Sequence, residues 1–187
     1  MSYKILKTID MDLTKSSINR AIREIENFRK QLRDSMAELV EKLTNEGVEI
    51  AKMQVASLDA VYTGELEGSI DGYFIPGWGV GFISAHAPYA IFVEYGTGII
   101  GESSPHPGIN DPDWNDPVAS RQMTGNGEDY WKYDSHKHGA NGWFYRNDND
   151  GKVHWTQGFV ARPFMYHTLK WLEEVAPERA SELWSQM

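Results

Sequence analysis

Pro88-Tyr-Ala-Ile-Phe-Val-Glu-Tyr-Gly-Thr-Gly98, with its later companion Ala161-Arg-Pro-Phe-Met165, decides how the chain is read. Pro88 suits the first turn of a short helix, where its missing N–H costs little. Tyr89, Phe92 and Val93 share one face of that helix, and Gly96 ends it. Gly96 and Gly98 permit backbone angles that a Cβ would penalise. Glu94 beside Thr97 in a Gly-Thr-Gly turn suits acid–base work. The same carboxylate equally suits capping the amides of the turn after the helix, or pairing with Arg162.

Upstream, Leu66, Ser69-Ile70 and Tyr73-Phe74-Ile75 read as an extended segment, and Val80-Gly-Phe-Ile-Ser84 as a second strand. Pro76-Gly-Trp-Gly79 between them is turn chemistry, so the pair makes an antiparallel hairpin. The alternating Gly77, Gly79 and Gly81 lack the Lys and the following helix of a phosphate cradle, and read as hairpin geometry.

From Ser16 to Ser57, Ile18, Ile22, Ile25, Phe28, Leu32, Met36, Leu39 and Leu43 recur three or four apart. That is the stripe of an amphipathic helix. Thr14, Ser16 or Ser17 can supply its N-cap oxygen, and Glu26–Lys30 and Glu38–Lys42 are favourable pairs on the wet face. Unbroken, the helix would run about 60 Å. Gly47 is the expected weak point or bend, and two shorter helices folded on one core are the alternative. A helix of this length cannot bury its whole stripe on one small sheet, so part of it should meet another subunit or helix.

After Gly98 the composition turns to Pro, Gly, Asn, Asp, His and Trp, with four of the seven Trp (Trp114, Trp131, Trp143, Trp155) before Gln157. The stretch through Tyr130 reads as a long loop. Trp143-Phe-Tyr145 and Val153-His-Trp155 read as short strands around an Asp-Gly turn at 150–151, held by aromatic cross-strand pairs. Pro163 opens a C-terminal helix through Phe164, Met165, Thr168, Leu169, Leu172 and Val175. Pro177 is expected to break it, with one more turn at Ala180 to Trp184.

The whole is expected as one α+β domain over 1–187: a long helix (14–57), a hairpin with short helix and turn (62–98), an insertion (99–157) and a C-terminal helix (158–187). Hydrophobic residues make up 41% of the 187, enough for a real core. The absence of cysteine excludes disulfides and thiolate metal sites. No run approaches the roughly 20 apolar residues of a membrane span, and the first ten residues lack the pattern of a secretory signal. A net charge of −9 argues against tight wrapping of nucleic acid. Between Leu58 and Gly98 stand Asp59, Glu65, Glu67, Asp71 and Glu94, with no Lys or Arg.

No nucleophile elbow, Walker loop or dinucleotide fingerprint is present. Asp134, His136 and His138 would be a divalent-metal candidate, but they lack a helical His-x-x-x-His spacing and a second shell, so solvated loop residues are the simpler reading. No cofactor is expected. The exposed Trp would also suit a sugar platform if coplanar, which spacing does not establish.

The order of elements, with Thr63-Gly-Glu-Leu-Glu-Gly-Ser-Ile70, Pro88 to Gly98 and Ala161 to Met165, resembles the tail-completion (head–tail joining, neck) family of long-tailed phages and prophages. The resemblance spans nearly the whole chain; the insertion is longer than many relatives carry. It implies a small antiparallel sheet packed on the N- and C-terminal helices. It also implies that Tyr89, Phe92, Glu94, Tyr95, Gly96, Thr97 and Gly98 pack against Ala161, Arg162, Pro163 and Phe164, with a Glu94–Arg162 contact.

By the same resemblance the chain is a non-enzymatic virion subunit, present in the host cytoplasm during assembly. It would form a homo-oligomeric ring between neighbouring connector and tail proteins, and DNA would pass through without specific binding. Head-to-tail closure needs two unlike faces, for which Phe28 and Leu32 on the long helix and Trp131, Trp143 and Trp155 in the insertion are the candidates. The acidic stretch 58–98 would then face the lumen. Another tail component, such as a terminator or minor tail protein, is the near alternative. A metal-dependent hydrolase using the central His and Asp residues is the distant one.

Overall fold

The computed structural model describes residues 8–60, 64–111, 114, 142–146 and 151–185. The fold is α+β, with a long N-terminal helix, a C-terminal helix and two small antiparallel sheets. Helix α1 runs unbroken over Lys15–Ser57, 43 residues and about 65 Å. Thr14 is its N-cap, its hydroxyl accepting from the Ser17 N–H. Asp12 in turn accepts from the Thr14 hydroxyl and N–H, and these bonds hold the Asp12 carboxyl below its ordinary range. The far end closes by a Schellman motif: Ala60 N–H reaches Val55 O and Asp59 N–H reaches Ala56 O, with Asp59 at φ 52 in the left-handed region. Val55 and Ala60, which flank that turn, both sit in the core.

Gly47 does not bend α1. It is buried, and a Cβ there would lie 2.4 Å from Ile83 Cδ1 and 3.3 Å from Leu172 Cδ1. The glycine therefore marks where a strand and the C-terminal helix approach α1 most closely. That close packing holds the one residue of poor helix propensity in register, so the two-helix alternative falls.

Glu65–Gly68 forms a single helical turn, α2, with Leu66 buried, where an extended segment was expected. Gly68 and Ser69 N–H close back on Gly64 and Glu65 carbonyls, and the Ser69 hydroxyl bonds Leu66 O. Local closure beats extension there. Strand β1 (Ile70–Ile75) then pairs antiparallel with β2 (Val80–Ala85). Gly72 and Gly81 face Thr44 and Val48 of α1. The opposite face carries Tyr73 paired with Phe82 and Ile75 paired with Val80. Helices α3 (Ala90–Tyr95) and α4 (Gly98–Ser103) follow, then a 3-10 turn over Pro107–Asn110. The expected loop after Gly98 thus begins with a helical turn; most of the remaining loop lies outside the described residues. Strands β3 (Trp143–Arg146) and β4 (Val153–Thr156) make the second hairpin, with Phe144 directly opposite Trp155.

Helix α5 (Phe164–Ser185) continues through Pro177, where a break was expected. A proline inside a helix costs about 3 kcal/mol. Contacts with α1 on both sides of it hold the helix: Leu172 lies against Gly47, and Arg179 Nε reaches Glu46 Oε2 at 3.4 Å. The core gathers Val48, Ala51 and Val55 of α1 with Leu66, Ile70, Ala87, Ala90, Val93 and Phe164. Phe164, at 1% exposed, contributes about 2–3 kcal/mol by burial alone. All the α1 residues of this core lie in its second half. In the first half Ile22, Ile25 and Met36 remain about half exposed, and Phe28 and Leu32 are half-buried.

Candidate functional site

Gly96 and Gly98 bring the two signature segments together. Gly96 has φ 76 and ψ 177, a conformation essentially reserved for glycine. A Cβ there would meet Ala161 N at 2.7 Å and Phe159 O at 2.8 Å. A Cβ on Gly98, at φ 62, would come still closer to Gln157 O, at 2.2 Å. That proximity lets Thr97 and Phe159 exchange both backbone hydrogen bonds, at 3.0 and 3.1 Å, while Arg162 N–H donates to Val93 O at 2.8 Å. Val93, Pro163 and Phe164 are buried at this junction; Tyr89, Phe92, Tyr95, Thr97, Ala161 and Arg162 are partly so.

Glu94 is 4% exposed and sits at the centre of the junction. It does not pair with Arg162, whose guanidinium lies over the Phe159 ring at 5.8 Å. Nor does it cap the turn that follows its own helix. Its Oε2 accepts from Met165 N–H at 2.9 Å, and its Oε1 from Tyr166 N–H at 3.0 Å and from His106 Nε2 at 2.9 Å. The first two donors are open N–H groups of the first turn of α5, so the Glu94 side chain caps a helix that starts some 70 residues later. A carboxylate at that end also meets the positive pole of the helix. Three converging donors offset the desolvation of a buried charge, which would otherwise be prohibitive.

His106 is 0% exposed, a burial that no local sequence pattern signals. Its Nδ1 accepts from Gly108 N–H at 2.9 Å. A nitrogen that accepts carries no proton, so the ring is the neutral Nε2–H tautomer and donates to Glu94. Pro105 and Pro107 on either side fix the local backbone. Around the ring stand Tyr95 (centroids 4.7 Å), Trp114 (5.5 Å, stacked) and Tyr166 (5.2 Å, edge-on). Trp114 Nε1–H is satisfied by Tyr95 Oη at 3.0 Å. Beyond this box, Tyr166 Oη donates to Asp111 Oδ2, which also takes Lys170 Nζ at 2.7 Å. Desolvation, reinforced by the hydrogen bond to Asp111, raises the Tyr166 phenol above its usual value. The bond to Asp111 raises the Lys170 ammonium in turn.

The other sequence candidates lie elsewhere. Trp143 is half-buried, and its ring edge would meet a Cβ at Gly98. Trp155 is 51% exposed and packs edge-on to Phe144 at 5.1 Å. Trp131, Asp134, His136 and His138 fall outside the described residues. Among the described residues no group of three or more His, Cys, Asp or Glu is placed to hold a metal, and no helix is long and apolar enough to cross a membrane.

An open groove of about 380 Å³ between α1, β2 and α5 is lined by residues such as Val40, Leu43, Ile83, Leu169 and Leu172. Among the described residues its lining holds no titratable side chain. The Glu94–His106 pair has the residue types of acid–base chemistry, but it is closed to solvent and its lone pairs and proton are committed to the fold. Compared with protein-family models, curated proteins and solved structures, the chain matches none.

Proposed function

We propose that this chain is a non-enzymatic structural subunit of a tailed-phage or prophage virion, a head–tail connector or tail-completion protein that forms a ring between the capsid neck and the tail tube. One observation carries the reading: Glu94, the most chemically suggestive residue of the signature, is buried and spent on capping α5. The segments that resemble the neck family are thereby clamped to each other as architecture.

Two further features support it. Helix α1 extends well beyond the core with a half-exposed apolar stripe, as a subunit that completes its packing in an assembly would. A net charge of −9 suits a channel through which DNA slides without sticking. Partners on this reading are other copies of the chain and the adjacent connector and tail proteins; no membrane or cofactor is involved.

The test is to tag the chain at exposed Gly151 and locate the label on purified particles by electron microscopy. The label should sit at the head–tail junction. A label along the tube or at the tail tip would make the chain a minor tail component instead, and particles without the protein would remove the reading.

A further inference from the structure

We infer that the outer face of the β1–β2 hairpin receives the N-terminal half of α1 from a neighbouring copy, which makes these the two unlike faces of the ring. The inference rests on the ring reading above and adds the partner surfaces.

Both surfaces present large apolar side chains that stay about half exposed or more. On the hairpin, Tyr73 is 64% exposed, Trp78 78% and Phe82 48%. Tyr73 and Phe82 are cross-strand partners on the face turned away from α1, and among the described residues β1 and β2 pair with each other alone. On α1, Ile22, Ile25 and Met36 continue the stripe whose later part enters the core. A flat aromatic sheet face and a helical ridge pack as a helix on a sheet, the commonest way a domain covers such a face.

Charge decides which surface meets which. Over residues 15–36 the helix carries Lys15, Arg20, Arg23, Arg29, Lys30 and Arg33 against Glu24, Glu26 and Asp34, a net +3. All six cations are on exposed residues. The hairpin region has no Lys or Arg between 58 and 98, while Glu65, Glu67 and Asp71 lie in and just before β1, with Asp71 on the same face as Tyr73. Helix against helix would juxtapose two positive surfaces, and hairpin against hairpin two negative ones. Helix against hairpin is complementary, and such complementarity fixes partner choice and orientation. A contact between two different surfaces of identical chains is heterologous, which is what ring closure requires. It also removes the hairpin's acidic face from the lumen, where charge alone had placed it.

The experiment uses two singly blocked full-length chains, Ile25→Asp on the helix and Phe82→Asp on the hairpin. Both sites are about half exposed, so thermal melts should match the parent chain and confirm folding. Sedimentation across a concentration series up to the millimolar range should show the parent associating, each variant alone monomeric, and their equimolar mixture forming a 1:1 dimer that grows no further. High salt should weaken the mixed dimer. Phe82→Asp alone associating like the parent would overturn the inference, because α1 would then be pairing with itself. So would a mixture that stays monomeric, or a parent chain that never associates. Rings of the parent that persist in both variants would overturn these faces and leave the ring reading standing; particles whose neck holds no ring of this chain would remove both.

Discussion

Glu94 and His106 lie 2.9 Å apart, both shut from solvent, and through that contact a loop histidine orients the carboxylate that begins α5. Each partner is held from its other side as well, His106 by Gly108 N–H and Glu94 by the Met165 and Tyr166 amides. Helix α3, the 3-10 turn and α5 therefore meet at one polar point inside an aromatic box.

Replacing Glu94 by Gln keeps the size but turns one acceptor oxygen into a donor. It would then face an α5 N–H or the His106 Nε2–H, leaving a buried donor unmet. A loss of about 1–3 kcal/mol is expected, read as a lowered urea midpoint with unchanged slope. Glu94→Gln at parental stability would mean that the buried bonds contribute nothing net.

The tautomer of His106 can be seen directly. Nitrogen-15 shifts of the ring should show an unprotonated Nδ1 and a protonated Nε2 near neutral pH, because Nδ1 accepts from Gly108. A protonated Nδ1 would contradict the geometry of the junction.

Gly96→Ala tests the clamp between the signature segments. The substitution forces φ 76 on a residue with a Cβ and drives that Cβ to within 2.8 Å of backbone atoms on the opposite segment. Backbone cannot step aside as a side-chain tip can, so the cost should be at least about 1–3 kcal/mol. Amide exchange should also accelerate at Thr97 and Phe159, whose bridge depends on that approach.

Tyr166 gives the junction a signature at high pH. Burial and the bond to Asp111 raise its phenol above the ordinary 10.0. As pH climbs past that value the unfolded chain loses the proton first, so it binds fewer protons than the folded chain and stability falls. Asp111→Asn should move the spectroscopic titration of Tyr166 back down and flatten that fall in stability.

Much of the scaffold was legible in the sequence, and what was not has definite physical causes. The stripe from Ile18 to Leu43 and the turn at Pro76 to Gly79 repeat on the periods of a helix and a hairpin, so local pattern sufficed for α1, β1 and β2. Gly47 and Pro177 looked like interruptions because propensity is a local quantity, whereas Leu172 and the Arg179–Glu46 contact act between helices far apart in sequence.

The role of Glu94 is not legible locally: a side chain that bonds a helix amide 71 residues later leaves no spacing to read. His106 left only a turn-rich Pro-His-Pro-Gly run, which marks a fixed backbone and says nothing of burial. In sequence Trp114 is one tryptophan of a rich segment; its stacking on His106 exists only in the fold.

The proposed role in the virion is tested most directly by electron micrographs of particles assembled without this chain. A head–tail joining subunit predicts full heads and separate tails accumulating side by side, joined again when the protein is added back. Intact, infectious particles made in its absence would contradict the account.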